Sequence, residues 1–149
     1  MSEMYNVRYF LKELEQTELF SINPSATVSE AREYMIEKDI GAVCVILDDG
    51  GLGGIFTERD GFRKSSPQLN TAYASVEKLM TPAIQVIAAT LDTSLEDCFD
   101  LMDKYRVRHL PVLEDGKLVG MISMRDLVRM IVDNQVLVSQ QLHSYIIRH

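Results

Sequence analysis

The sequence predicts an α/β fold made of two copies of one strand-helix-strand-strand-helix unit, followed by a C-terminal helix. The motif Gly-x-x-Thr/Ser-x-Arg-Asp occurs at residues 54–60 and again at 120–126, 66 positions later. Upstream, residues 40–46 match residues 107–113 at an offset of 67. The extra residue falls in a turn, where insertions cost little. Two copies of so long a period indicate a pseudo-twofold pair of subdomains rather than a solenoid.

Length and composition limit the chain to a single module over residues 1–149. With 149 residues and 46% hydrophobic content, it can form one core or two closely packed half-cores. The net charge of −7 disfavours nucleic-acid binding, which usually needs a basic face. No apolar run approaches the roughly 20 residues that span a bilayer, and the N-terminal pattern is not that of a signal peptide. We therefore expect a cytoplasmic protein that binds neither nucleic acid nor membrane.

The first copy, assigned to residues 19–65, predicts each element in turn. Residues 19–22 form a short extended run, and Thr27-x-x-Glu30 is a capping box that opens a helix to about Lys38. Residues 42–47 and 52–56 are apolar strands joined by an Asp-Gly type hairpin turn. Their nearly continuous apolar character predicts a sheet covered by helices on one face and by the other repeat on the second.

The second copy, assigned to residues 79–134, repeats this order. Residues 84–87 predict its first strand, and Thr93-x-x-Glu96 predicts the start of its first helix. Residues 110–113 and 118–122 predict the hairpin, with Pro111 restricted to an edge or strand-start position because it has no N–H to donate. Between the copies, residues 65–74 read as a loop and 76–80 as a short helical turn. An apolar stripe from Leu127 onward predicts a helical tail over residues 135–149, which must dock on its own body or on a second copy.

These features together resemble a tandem pair of CBS domains, the Bateman module. The resemblance rests on the duplicated pattern, the run His109-Leu110-Pro111-Val112 and Gly-x-x-Thr/Ser-x-x-Asp in both copies. It covers roughly residues 19–134 and is similar to small stand-alone bacterial CBS-pair proteins. It implies two repeats packed through their sheets, with AMP, ADP, ATP, NAD(H) or S-adenosylmethionine bound in clefts between them. It also implies a disc-like homodimer with a regulatory, signal-transducing or energy-sensing role toward an unknown protein partner.

The chemistry of the motif fits a nucleotide. Its hydroxyl stands at the first turn of a helix, where unpaired amides and the positive end of the dipole favour a phosphate. Its Arg would donate charge-assisted hydrogen bonds to that phosphate, and its Asp would accept them from the ribose hydroxyls. These residues are Thr57, Arg59 and Asp60 in the first copy and Ser123, Arg125 and Asp126 in the second.

Further candidate ligand-binding residues would form an apolar surface for adenine at the strand ends or a positively charged edge of the site. Thr81 is included because a Met-Thr precedes the second copy in the proteins that this chain resembles. The set comprises Ile22, Ile40, Gly41, Ala42, Thr81, Val86, Val107, Arg108 and His109.

The same motifs have a purely structural interpretation. Thr57-x-x-Asp60 and Ser123-x-x-Asp126 are also variant capping boxes that satisfy their own helices. The protein would then be a ligand-free dimerisation or partner-docking module. Gly61 disfavours the helix after the first motif, which predicts a helix that starts late or flexes and two sites that bind unequally.

No pattern in the sequence indicates catalysis. The three histidines lack metal-ligand spacing, and no Ser or Cys has a recognisable base beside it. We expect no catalytic residue, no metal and no catalytic cofactor. Cys44 and Cys98 lie in apolar patterns and are predicted to be buried reduced thiols, with a thiol redox switch as the alternative.

Overall fold

The computed structural model describes residues 5–14, 19–63 and 71–134, which form two compact units. One unit contains residues 20–86 with 116–118 and holds the first copy of the repeat. The other contains residues 87–115 and 119–134, together with residues 5–14 and 19, and holds the second copy. The duplicated α/β organisation is confirmed.

The first unit is built on a four-stranded sheet in the order β1-β2-β3-β4. Strand β1 (Ser21–Ile22) runs parallel to β2 (Ala42–Ile46), while β3 (Leu52–Thr57) pairs antiparallel with β2 and with β4 (Thr81–Pro82). Its helices are α2 (Val28–Lys38) and α3 (Glu58–Arg63). The buried cluster of this unit is Val28, Ala31, Met35, Val43, Val45, Phe56, Val76 and Leu79.

The second repeat contains the hairpin β5 (His109–Glu114) and β6 (Lys117–Ser123) with helices α4 (Leu95–Tyr105) and α5 (Met124–Asn134), and all of it except residues 116–118 belongs to the second unit. The hairpin turn places Asp115 at φ 52° and Gly116 at φ 78°, the left-handed pair that a two-residue turn requires. Because β5 and β6 form a two-stranded sheet, Pro111 lies in an edge strand, as predicted.

The predicted N-cap of the first copy is confirmed, and that of the second is displaced by one residue. Thr27 Oγ1 accepts a hydrogen bond from the Glu30 amide at 3.0 Å. In the second copy Ser94 Oγ accepts one from the Asp97 amide at 3.0 Å, so the prediction of Thr93 as the cap was wrong. The Thr93 hydroxyl instead accepts from the Thr90 amide at 3.0 Å within the preceding turn.

The predicted strand at residues 84–87 is also wrong. Residues Ala83–Gln85 form a 3₁₀ turn, and Ile84 is 93% exposed, so this apolar stretch does not face a core. Farther along the chain, Ala89 forms a parallel bridge with Val112 of β5. The chain turns at residues 83–85 because the two residues before them, Thr81–Pro82, pair with β3 of the first unit.

An N-terminal helix that the sequence analysis did not predict, α1 (Val7–Glu13), completes the second unit. The Leu95 amide donates to the Tyr5 carbonyl at 2.9 Å, the Val7 amide donates to the Thr93 carbonyl at 2.9 Å, and Val7 and Phe10 are fully buried. Residues 74–79 complete the first unit in the same way, through a backbone hydrogen bond and buried apolar side chains. There the Val28 amide donates to the Ala74 carbonyl at 2.9 Å. Each repeat is therefore completed by the segment that precedes the other one in sequence.

The remaining predictions concern connections and the tail. The helical turn predicted at residues 76–80 is present as the 3₁₀ turn Val76–Lys78. Most of the predicted 65–74 loop and the whole 135–149 tail lie outside the described residues, and the repeat boundaries stay predictions. Within the described part of the chain, no helix has the length and apolar character needed to cross a bilayer.

Candidate functional site

The first motif closes on itself at the junction of β3 and α3. The Asp60 amide donates to Thr57 Oγ1 at 3.1 Å, and the Thr57 amide donates to Asp60 Oδ2 at 3.0 Å. This reciprocal pair is a capping box with Asp in place of Glu. The structural interpretation of the motif is therefore realised in the first repeat, where one carboxylate oxygen of Asp60 already has a partner.

The second motif makes only half of this arrangement. The Asp126 amide donates to Ser123 Oγ at 3.1 Å at the start of α5. Among the described residues, no hydrogen bond reaches the half-buried carboxylate of Asp126. The two motifs thus share their sequence but differ in whether the carboxylate is engaged.

In each repeat, one backbone hydrogen bond joins the residue after the motif hydroxyl to the residue just before the first strand of the hairpin. The Glu58 amide donates to the Gly41 carbonyl at 3.1 Å, and the Met124 amide donates to the Arg108 carbonyl at 2.8 Å. These bonds bring predicted site residues together within each unit. Gly41 and Ala42 lie beside the first motif, and Arg108 and His109 lie beside the second.

The glycine of the first motif allows the close approach of a protein backbone. A Cβ atom added to Gly54 would lie 2.7 Å from Met80 Sδ and would also overlap the Thr81 carbonyl oxygen. Gly54 therefore permits β4 to pair with β3, which places Thr81 opposite Ile55. The motif glycine was expected to allow a backbone to approach closely, and the backbone that approaches Gly54 is that of β4.

His109 is a half-buried group at the start of β5. Burial lowers the pKa of His109 below its usual value, and the adjacent Arg108 charge lowers it further, while Asp126 acts in the opposite direction. Its imidazole is consequently neutral near pH 7 and lies in the electric field of the Asp126 carboxylate.

The other candidates occupy varied positions. Ile40 and Ile22 are half-buried against the core of the first unit, and Val107 is half-buried against that of the second. Ala42 is 5% exposed and belongs to the buried residues. Val86 lies in the first unit, so its grouping with Val107 on one apolar surface stays a prediction. Arg59 and Arg125 are exposed beside their motifs.

Sequence reasoning missed one contact beside the first motif. An Arg32 guanidinium nitrogen, Nη2, donates to the Gly61 carbonyl at 3.1 Å. Helix α3 begins at Glu58, directly after the motif threonine, so the expected late start is wrong. The repeat alignment holds a signal for this contact, because Arg32 and Gly61 match Phe99 and Leu127 and both partners differ between the repeats.

The chemistry of the thiols is that of buried core residues. Burial raises the pKa of both Cys44 and Cys98 to about 12, so neither is an appreciable thiolate at neutral pH. In the described ranges, no group of three or more His, Cys, Asp or Glu side chains could hold a metal ion.

Comparison with known proteins identifies the family. The sequence profile of the CBS domain matches residues 11–66 and again residues 76–133. The chain belongs to the CBS-domain family. It is 34% identical over 124 residues to an uncharacterized 17.7 kDa protein of Acidianus ambivalens, an alignment that covers 83% of this chain and 73% of the relative.

Solved structures agree with the CBS-pair fold. The CBS-domain containing protein ATU1752 from Agrobacterium tumefaciens is 31% identical with a TM-score of 0.76, covering 83% of this chain and 97% of that one. The structure of CBSX2 in complex with AMP is 29% identical with a TM-score of 0.71, covering 88% and 98% of the two chains. The expected CBS-pair fold is therefore confirmed.

Proposed function

We propose that this CBS-pair protein is a regulatory adenine-nucleotide sensor whose principal ribose-binding group is Asp126. The observation that carries this proposal is the difference between the two motifs. Asp126 has a half-buried carboxylate that accepts no hydrogen bond from a described residue, whereas Asp60 already accepts the Thr57 amide. A ribose with two adjacent hydroxyls supplies the donors that such a carboxylate accepts.

The surroundings of Asp126 suit the rest of a nucleotide. The positive N-terminal end of the dipole of helix α5 and the exposed cations Arg108 and Arg125 favour a phosphate. Val107 offers an apolar surface for a base. The complex of AMP with CBSX2 supports AMP as the first ligand to test. ADP, ATP and NAD(H) share the same ribose and adenine.

Binding at the first repeat faces an additional cost. A ribose hydroxyl that bonds Asp60 Oδ2 replaces the Thr57 amide, and one such hydrogen bond is worth about 1 kcal/mol. We therefore propose that the first site binds more weakly than the second. The regulatory response would arise because ligand occupancy stabilises one arrangement of the chain over another.

Isothermal titration with AMP tests the proposal. We expect Asp126→Ala to weaken binding by about tenfold or more, because it removes a charged acceptor of two hydrogen bonds. Asp97→Ala is the matched control, since it removes an exposed carboxylate from the first turn of another helix in the same unit. The 2′,3′-dideoxy analogue should bind wild type as weakly as AMP binds the variant. Absence of binding by every adenine nucleotide at millimolar concentration, or equal affinity in Asp126→Ala, would contradict the proposal.

The closed capping box of the first repeat favours a second candidate function, a dimerisation or partner-docking module without ligand. Helices α3 and α5 each carry an exposed apolar side chain, Phe62 at 84% and Val132 at 65%, which supports self-association as a homodimer. Light scattering should give the dimer mass, and Phe62→Ser should shift it toward the monomer. A stable dimer whose melting temperature no nucleotide changes would favour this candidate over the sensor.

A further inference from the structure

The helices that follow the two motifs are anchored differently. In the second repeat, Leu127 on α5 is fully buried in the same cluster as Phe99 on α4, and the two helices pack together. The matching residues of the first repeat are Gly61 and Arg32. An apolar anchor in one repeat is thus replaced by a polar contact in the other.

The geometry shows why both positions differ together. Arg32 Nη2 donates to the Gly61 carbonyl at 3.1 Å. A Cβ atom on Gly61 would lie 3.3 Å from Phe56 Cζ and 3.6 Å from Arg32 Nε and Nη2. Glycine therefore lets the α3 backbone approach Phe56 and the guanidinium. The cation also complements the negative C-terminal half of the helix.

Helix α3 depends on such contacts because its described part, Glu58–Arg63, is too short to be stable alone. At its start it is closed by the Thr57–Asp60 box. A ribose bound to Asp60 would replace part of that box. Arg32 holds the helix one residue beyond Asp60, through a backbone carbonyl that the ribose does not require.

We propose that Arg32 is a positioning residue for the first-repeat site, an inference that rests on the proposed nucleotide function. Its hydrogen bond to Gly61 holds α3 while Asp60 exchanges the Thr57 amide for a ribose. The contact thereby sets the affinity of the first site independently of the second.

Two measurements test this role. Hydrogen exchange over residues 57–63 without ligand reports the hold on α3, and AMP titration in an Asp126→Ala background reports the first site. We expect Arg32→Met to accelerate the exchange and to weaken first-site AMP binding, each roughly fivefold, as for one hydrogen bond. Exchange over residues 124–130 should not change. Arg129→Met, an exposed arginine on α5, is the matched control and should leave both readouts unchanged.

A transplant of the second repeat's pair separates positioning from general damage. Gly61→Leu alone should accelerate exchange, because its side chain meets Phe56 and Arg32. Combined with Arg32→Phe, it should restore slow exchange and first-site affinity, because the matching residues Phe99 and Leu127 share a buried cluster in the second repeat. Unchanged exchange or unchanged first-site affinity in Arg32→Met would overturn the proposal.

The failure of this proposal is distinguishable from failure of the nucleotide function. AMP binding by wild type with no binding in Asp126→Ala would overturn the role of Arg32 and leave the second site intact. No binding by wild type would overturn both.

Discussion

The two repeats of this CBS pair carry the same seven-residue motif and use it differently. In the first, the Asp60 carboxylate closes a capping box and α3 is held by Arg32. In the second, the Asp126 carboxylate accepts no hydrogen bond from a described residue, and α5 is anchored by Leu127 in the core. Duplication determines where the carboxylate stands, and its local partners decide whether it caps a helix or remains available to a ligand.

A further contrast lies in the segments that complete each repeat. Residues 5–10 close the second core with Val7 and Phe10, whereas residues 74–79 close the first with Val76 and Leu79. Both segments use an apolar pair with spacing i, i+3, which places the two side chains on one face of a helical turn. The described N-terminal residues 5–14 therefore belong to the second unit.

The largest expected effect comes from removing one of these apolar anchors. Phe10→Ala should lower the free energy of unfolding by about 3–5 kcal/mol, since it empties a fully buried site, and Leu79→Ala by about 2–5 kcal/mol. Hydrogen exchange should show the loss of protection in residues 87–134 for Phe10→Ala and in residues 20–63 for Leu79→Ala. Exposed Ile36→Ala is the control. If Phe10→Ala caused loss of protection only in the first unit, residues 5–10 would not be the segment that completes the second unit.

An intermediate effect is expected at the glycine of the first motif. Gly54→Ala should destabilise the protein by about 1–3 kcal/mol, because the added methyl group meets Met80 and the Thr81 carbonyl and forces β4 from the sheet edge. Chemical denaturation measures the change, and Gly116→Ser controls for loss of a glycine where a Cβ has open space but the positive φ is strained. Wild-type stability in Gly54→Ala would show that β4 does not need this close approach.

The capping difference predicts a smaller effect that separates the two motifs. Asp60→Ala should cost about 1 kcal/mol, whereas Asp126→Ala should change stability little, because only the first carboxylate accepts its helix's cap hydrogen bond. Thr57→Ala and Ser123→Ala should each cost about 1 kcal/mol, since both hydroxyls cap. Urea titration of the four variants checks the pattern. Equal losses for the two aspartates would remove the asymmetry on which the proposed function depends.

The smallest predicted effect is a pH dependence that belongs to the second repeat. The folded pKa of His109 is lowered, so the unfolded chain binds more protons as the pH falls through about 6.5. His109 therefore contributes a stability that is complete above that pH and declines below it. His109→Gln should flatten this part of the curve, and the first repeat has Ala42 at the matching position.

An NMR titration gives a direct check of the same environment. The pKa of His109 should lie below that of an unfolded histidine, and Asp126→Asn should lower it further by removing the nearby negative charge. An unshifted pKa in both proteins would mean that His109 does not sense Asp126.

Much of the fold could be predicted because its signals are local. The hairpin turn at Asp115 and Gly116 and the cap at Thr27 each depend on residues close in sequence. The strand expected at residues 84–87 failed for the opposite reason. Its apolar composition suits a strand, but the preceding Thr81–Pro82 pairs with β3, and the following residues turn away. Helix α1 was missed because its burial depends on a partner surface about 85 residues away.

The sequence by itself determined the duplication, the positions of both motifs and the order of most elements, because spacing, periodicity and turn chemistry are written in short segments. The tertiary structure alone decided which segment completes which repeat and which aspartate is already engaged. It also showed that Arg32 and Gly61, which match Phe99 and Leu127 in the sequence, are joined by a hydrogen bond. These outcomes depend on contacts between residues distant in sequence and on differences of one hydrogen bond. A motif that is the same in both repeats gives no information about either.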